Sequence, residues 1–540
     1  MNRVADNDQV RHILIVEHEV VPNWWLHLID HFIAAILEKG ELPVVYVQDE
    51  QRKKHLSIKK VLILVINLIP LLAEWGLFGL QLSAFQKKNV QSHLKKKKVE
   101  VYSIHHLSEV EKTDVFYILS NIGTPEQYSN QNVVFLNQGL GEIGFHGCME
   151  FIFHFMIQRK PFQIGVISEK GKHVVYEHFF QTFNHNLVQN INYWLWALSI
   201  GVKKICTIAL TTVDSDVFYP GEESFFLWGK SIKNRLLWKG LPKILSPFYI
   251  KKWGVVLQKK TSENQCFQPE QSYQIAFPDL KNGWADPFLI QHEGQHYLFL
   301  EELNEEQQKG ILVVAQLDQN GMFRRIEPIL SESFHLSYPF VFEKEGQWYL
   351  IPESAQGRNI RLYQANQFPF KWQYVKDLMA DVQAYDTTSF YYNDKWWMFS
   401  VIKKGDGASS FDQLYLFYAR DIIEDEWLPH PLNPIVTDSR VARPAGKVFI
   451  QDGKLYRPSQ DCFERYGHKL VINEITHLSE AQYEERVSEE ITLNSRSDVS
   501  GIHTYNFNED LLVVDALFRK ASFSKSKEYK DHMVKAKLQD

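Results

Sequence analysis

A chain of 540 residues exceeds the size at which one hydrophobic core stops growing, so two or three domains are expected. Its 45% hydrophobic and 23% charged residues are ordinary globular material, and a formal net charge of -6 gives no global basis for nucleic-acid binding. Four cysteines, Cys148, Cys206, Cys266 and Cys462, lie far apart without CxxC spacing, which argues against a zinc site or disulfide framework and fits a reducing compartment.

The first apolar run, ILIV from Ile13, is short and charges return at Glu17 and Glu19, so it reads as a buried strand rather than a secretory signal. The stretch from Val61 to Ser83 approaches the length of a membrane span but carries Pro70 and Glu74 in its middle. A charge near a bilayer centre costs about 2.5 to 3.5 kcal/mol even on the lenient scale. A buried or membrane-surface helix is therefore expected. The basic runs Arg52 to Lys54 and Lys95 to Lys98 are solvated faces or candidates for contact with anionic head groups. The expected location is cytoplasmic, with residues 61–98 the candidate for peripheral contact on the inner face of the cell membrane.

From about residue 10 to 212, short apolar runs alternate with helix-like stretches: HILIVEH, LIDHFIAAILEKG, PVVYVQ, VEVYSI, DVFYILSN and NVVFLNQ. Buried strands spaced by helices imply an α/β domain with a parallel sheet. Residues 213–273 are irregular and read as a connector. Residues 274–520 carry shorter strands with recurrent turns, and 521–540 form a polar tail.

The third region is a repeat of about fifty residues, the signature of propeller blades. WADPFLI at 284, LSYPFVF at 336, AYDTTSFYY at 384, VARPAGKVF at 441 and GIHTYNF at 501 open alike, and each is followed by a turn and a second strand. Pro287, Pro339, Thr387, Pro444 and Thr504 are equivalent, with successive offsets of 52, 48, 57 and 60. An all-β five-bladed propeller is expected. Aromatics, at 14%, suit blade packing or stacking platforms for sugar rings.

The innermost strand of a blade lines the central channel, so a polar residue at one repeat position in every blade converges on one place. Immediately before the equivalent Pro or Thr stand Asp286, Tyr338, Asp386, Arg443 and His503. Asp286 and Asp386, from the first and third blades, are the candidate catalytic carboxylates; Tyr338, Arg443 and His503 are candidate substrate contacts. The second strands add Glu301, Glu302, Glu353, Arg457 and Asp461. Of these, Glu302 and Glu353 are candidate acids or bases, since a partly buried carboxyl has its pKa raised. Arg457 and Asp461 are candidate binding groups. Each could equally be a buried ion-pair partner.

The combined string WADPFLI, YLFLEE, YPFVFE, WYLIPES, YDTTSFYYNDKWWMF, NPIVTDSRVARPAG, LYRPSQDC and GIHTYN resembles the propeller domain at the N-terminus of plant glucosamine inositolphosphorylceramide transferases, also found in bacterial surface-polysaccharide proteins. More distantly it is similar to the five-bladed glycoside hydrolases of families 43 and 32. That likeness implies that Asp286 acts as base or nucleophile and that Asp386 orients substrate. The hydrolases place a general-acid Glu in the fourth blade, where this chain has Arg443. Hydrolysis needs a protonated carboxyl on the leaving group; a nucleotide leaving group does not, and an arginine would stabilise its charge. The expected activity is glycosyl transfer in polysaccharide or glycolipid synthesis, acting on a sugar or glycolipid, with a nucleotide sugar as candidate donor. No cofactor is required, and the metal requirement is open. A family 43 or 32 type glycosidase and a non-catalytic carbohydrate-binding module are the alternatives, and Glu302 or Glu353 would supply the missing acid.

The first region, over about 10–212, resembles the formyltransferase fold, through VVFLNQGLGEIGFHGCMEFIFHF and PFQIGVISEKGKHVVYEHFFQT. Asn137 stands where that fold has its catalytic His and no Asp appears in the later strand, so the resemblance implies a degenerate domain. His146 and Glu150 could form a different site or serve structure.

Overall fold

The computed structural model describes residues 12–16, 20–22, 43–47, 87–89, 101–103, 115–119, 132–135, 162–168, 171–182 and parts of 189–204 in its first unit. In the second it describes 250–260, 273–279, 281–304, 309–405, 408–493 and 498–520. The two compact units are Met1–Lys239 and Gly240–Asp540. The segment 61–98 apart from 87–89, the residues Asn137, His146 and Glu150, and the tail 521–540 lie outside the described residues. Among described residues no helix is long and apolar enough to cross a membrane.

The apolar runs of the first unit form a seven-stranded sheet. Val101–Ser103, Pro43–Val47, His12–Val16, Val115–Leu119 and Asn132–Phe135 lie side by side in that order and are all parallel. Phe162–Ser168 and Gly171–His178 then add an antiparallel hairpin to the edge. The expected parallel sheet thus holds for five strands; Phe162–Ser168 runs against them and Gly171–His178 runs back against it.

The second unit contains five sheets that follow the sequence repeat. Blade 1 is Asn282–His292, Gln295–Asn304, Lys309–Leu317 and Phe323–Leu330; blade 2 is Ser337–Lys344, Gln347–Glu353, Asn359–Gln367 and Lys371–Ala380. Blade 3 is Gln383–Tyr392, Lys395–Lys403, Leu414–Ala419 and Leu428–Pro429. Blade 4 opens on an interrupted inner strand, Arg443–Pro444 and Phe449–Gln451, followed by Lys454–Asp461, Lys469–Leu478 and Tyr483–Ile491.

Blade 5 is made from both ends of the unit. Tyr505–Phe507 and Leu511–Lys520 are completed by Ile250–Lys259 and Tyr273–Ala276, with Val255 opposite Asp515 and Val256 opposite Val514. The connector expected over 213–273 therefore supplies propeller strands from Ile250 onward. The repeat did not reveal this, because these two strands are the outer half of a blade and lack the polar opening motif. Closing the ring with strands from opposite ends pairs edges that would otherwise stay open.

In four blades the first two strands join through a two-residue turn with both backbones left-handed: Glu293-Gly294, Glu345-Gly346, Asn393-Asp394 and Asp452-Gly453. Such turns match the twist of the flanking strands. Apolar side chains fill the wedges between neighbouring blades. Leu257, Leu511 and Val513 of blade 5 meet Trp284, Leu298 and Val313 of blade 1. Trp397, Phe399 and Leu416 of blade 3 meet Leu455 and Ile475 of blade 4. Each fully buried side chain of this kind contributes about 1.5 to 3 kcal/mol, so blade packing accounts for many of the aromatics.

Candidate functional site

The opening residues of blades 1 to 3 share a backbone that their side chains alone would not favour. Asp286, Tyr338 and Asp386 have φ of 50°, 45° and 49°. Each sits in a bulge, where register shifts between Ala285 and Phe288, Ser337 and Phe340, and Tyr385 and Thr388. A bulge bends the strand and re-aims the side chain; a left-handed non-glycine residue costs about 1 to 3 kcal/mol. The N–H groups freed in this way are taken by carboxylates of the preceding blade. Asp286 donates to Asp515 Oδ2 at 3.0 Å, Tyr338 to Asp286 Oδ2 at 3.0 Å, and Asp386 to Glu353 Oε2 at 3.3 Å.

The five repeat residues form one buried cluster. Asp286 accepts the Thr504 hydroxyl at 2.8 Å and lies 3.4 Å from His503 Nδ1, which lies 2.6 Å from Asp515 Oδ2. The Tyr338 hydroxyl meets Thr388 Oγ1 at 2.8 Å and receives the Gly446 N–H at 2.7 Å. Gly446 has φ of 141°, and a Cβ there would collide with the Tyr505 carbonyl. Arg443 donates from Nε to Asp386 Oδ2 at 2.5 Å and reaches Glu353 Oε2 at 3.4 Å, while Gln460 donates to the same Asp386 oxygen at 2.7 Å. All five residues are no more than 7% exposed.

Two carboxyl pairs sit inside this cluster. Glu301 and Glu353 occupy equivalent positions on the second strands, opposite Ala285 and Ser337. Glu301 stands beside Asp286, and Glu353 beside Asp386, so that each pair favours holding a proton. Burial, then the charges of Asp286 and Glu353, push Glu301 well above the ordinary carboxyl range; burial, then Asp386, do the same to Glu353 against the pull of Arg443. Burial also lifts Asp286 to about 6, against the attraction of His503. For His503, burial opposes the charged form, but Asp515 and Asp286 outweigh it and raise the pKa. Asp286, His503 and Asp515 present ligand atoms within 4.8 Å of one another, the group among the described residues that could accept a divalent cation.

Partly exposed aromatic rings frame the cluster. The Arg443 guanidinium lies 5.4 Å from the Tyr385 and Phe411 ring centres and 5.2 Å from that of Tyr466. Tyr466 also approaches His503 at 5.1 Å, and Trp253 lies 4.1 Å from the same imidazole. Amphipathic rings of this kind pack against the carbon-hydrogen faces of ligands while leaving polar groups free to hydrogen-bond.

Three residues expected at the site have other partners. Glu302 faces the opposite side of its strand from Glu301 and accepts Trp284 Nε1 and Asn282 Nδ2, both at 2.9 Å, because successive strand residues point to opposite faces. Arg457 is tied to Glu485 at 2.6 Å and to the Val441 carbonyl at 2.8 Å within blade 4. Asp461 accepts the Phe463 N–H at 2.9 Å and lies 3.6 Å from Lys469, so it shapes the loop that presents Tyr466. Arg443, expected as a substrate contact, is neutralised by Asp386 and lies 3.4 Å from Glu353. Glu301, read with the second-strand candidates but not singled out as the acid, is in the cluster, and three contributors went unread: Gln460, Asp515 and Trp253. Asp515 had a signal, a lone charge inside the apolar run LLVVDALF; Trp253 lay in the supposed connector.

Residues 264–511 match the family model described as glucosamine inositolphosphorylceramide transferase 1, N-terminal. Glucosamine inositolphosphorylceramide transferase 1 of Oryza sativa subsp. japonica is 35% identical over 204 residues, 37% of this chain and 27% of that protein. The protein of that name from Arabidopsis thaliana is 32% identical over 233 residues, 42% of this chain and 30% of its own length. The chain thus spans less than a third of these curated relatives. Among solved structures, a family 117 glycoside hydrolase of Zobellia galactanivorans overlaps with a TM-score of 0.33 at 10% identity, over 52% of this chain and 93% of that one. The catalytic domain of a Coprinopsis cinerea GH62 α-L-arabinofuranosidase overlaps with a TM-score of 0.33 at 12% identity, over 44% and 91%. Those overlaps are too loose to bear on chemistry. The sequence match and the five closed blades agree, and the propeller of this chain is a domain of the glucosamine inositolphosphorylceramide transferase 1 N-terminal type.

Proposed function

We propose that the propeller funnel binds a sugar and that the chain transfers a glycosyl group in glycolipid or surface-polysaccharide synthesis. The observation that carries this reading is the two carboxyl pairs, Glu301 with Asp286 and Glu353 with Asp386, beneath an aromatic frame. Breaking a glycosidic bond calls for one carboxyl that holds a proton and one that has lost it. Glu353 supplies the first, protonating the oxygen that leaves. Asp286, about half ionised near pH 6, supplies the second and takes the proton of the acceptor hydroxyl. Tyr466 and Trp253 hold the sugar ring. Support comes from the relatives' names as transferases, although they are matched over less than a third of their length.

One observation favours a second reading, hydrolysis. Because Arg443 is already paired with Asp386, and Asp286 and Asp515 lie in the same ring, its charge is not free to meet a nucleotide diphosphate. A neutral glycoside would suit it better, with water in place of the acceptor.

The test incubates the full chain with nucleotide sugars or aryl glycosides, with and without a glycolipid acceptor, and identifies products by mass spectrometry. Acceptor-linked product that disappears in Asp286→Asn and Glu353→Gln supports transfer. Free sugar without acceptor product supports hydrolysis. Sugar binding by calorimetry with no product from any donor overturns both and leaves a binding module.

A further inference from the structure

The inner strands carry a second ring. Four residues beyond Asp286, Tyr338, Asp386, Arg443 and His503 stand Ile290, Phe342, Phe390, Lys447 and Phe507. In blades 1 to 3, at the rise of a strand, this is about 13 Å further along the channel. All five line one cavity of about 480 Å³, within the size range of small-ligand sites. Four blades place an apolar residue at this register and only blade 4 places a lysine. A lysine gives the wall nothing in packing that Ile or Phe would not, so its charge needs another account.

Two polar groups in this cavity lack partners. Lys447 is half-buried, its Nζ makes no hydrogen bond or ion pair among the described residues, and burial lowers its pKa to about 7. Ser389, 3% exposed and adjacent to Phe390, has a hydroxyl with no hydrogen-bond partner. An unmet buried hydroxyl costs about 1 to 3 kcal/mol. Both groups can donate, and neither is paired with Gln291, Glu343 or Asn508, the other polar residues of the lining. Around them the walls are aromatic: Trp396 lies 5.4 Å from Phe342, and Trp348 stacks on Phe368 at 4.4 Å. Glu343 also borders the cavity but is exposed at its rim, where water and salt screen its charge.

We propose that this far end of the channel is a second binding site, for a carboxylate-bearing sugar or similar ligand with one carbon-hydrogen face. The Lys447 ammonium pairs with the carboxylate, the Ser389 hydroxyl donates to an oxygen beside it, and Phe342 and Trp396 cover the apolar face. The site is separate from the polar ring and stands whether or not that ring is catalytic.

The experiment titrates the full chain with galacturonate and, in parallel, with galactose, by calorimetry and by the fluorescence of tryptophans at the cavity wall. Saturable galacturonate binding is expected, with galactose much weaker. Lys447→Met should weaken it about tenfold or more and Ser389→Ala by a few-fold, while Glu302→Gln, which lies outside both sites, leaves it unchanged. If Lys447→Met does not fold, Lys447→Gln takes its place with the same expectation. No galacturonate binding, equal binding of galactose, unchanged affinity in the lysine variant, or loss of binding in Glu302→Gln would each overturn the proposal.

Discussion

Asp515, in the second strand of blade 5, accepts the backbone N–H of Asp286 in blade 1 at 3.0 Å while its other oxygen holds the N–H groups of His503 and Thr504 at 2.8 and 2.9 Å. A single carboxylate with no measurable exposure therefore ties the last blade to the first. It also meets the His503 imidazole at 2.6 Å. Asp515→Asn can accept with only one oxygen and takes from His503 the nearer of its two counter-charges. Breaking a buried pair of this kind costs about 3 to 5 kcal/mol. Urea unfolding of the propeller should show a loss of that order, and a loss below about 1 kcal/mol would contradict the role given to Asp515.

Asp286 couples stability to pH. Its carboxyl titrates near 6 in the folded chain against an ordinary value of 3.8, chiefly through burial. Folding therefore favours the protonated form, and that contribution is present below about pH 4 and lost as pH rises through about 6. The part assignable to this group is about 3 kcal/mol. Wild type should lose stability across this window in a series of denaturant titrations. Asp286→Asn, with no proton to lose there, should show a shallower slope, and identical slopes would rule out the raised pKa.

Two neighbouring acids should behave oppositely. Glu353→Gln cannot deliver a proton and should lower turnover by a factor of about 10² to 10⁴, with substrate binding largely retained. Glu302→Gln should leave turnover per folded molecule unchanged and cost about 1 to 2 kcal/mol, since it weakens the bonds to Trp284 and Asn282. Steady-state kinetics beside thermal melts separates the two, and a turnover defect in the Glu302 variant would restore it to the site.

Arg457→Met tests the reassignment in blade 4. The change leaves Glu485 without its counter-charge, holding only the Tyr483 hydroxyl, which should cost about 3 to 5 kcal/mol. Sugar binding by the folded fraction should not change, whereas a selective loss of affinity would place Arg457 in the funnel.

Tyr466→Ala removes one face of the aromatic frame while leaving the carboxyl pairs in place. The Michaelis constant should rise about tenfold, in line with roughly 1.5 kcal/mol for an aromatic contact, and the turnover number should hold. A fall in turnover at unchanged Michaelis constant would mean that Tyr466 positions Arg443 or His503 rather than the sugar.

The repeat in the sequence determined the blade number and the ring register. Pro287, Pro339, Thr387, Pro444 and Thr504 mark one repeat position in each blade, and the polar residue before each one could be read off directly because alternation and turn chemistry are local. The apolar runs of the first unit were legible for the same reason. Pairings between distant segments were not local, and only the tertiary structure decided them. Ile250–Lys259 joins Leu511–Lys520 across more than half of the unit's length, which no repeat foreshadows. Glu301 rather than Glu302 meets Asp286 because a bulge at Asp286 sets which strand face turns inward. Arg443 is bound and not free because Asp386 and Glu353 come from two other blades. Residue types at a register follow from the chain; which of them neutralise one another depends on distances that closure of the ring alone sets.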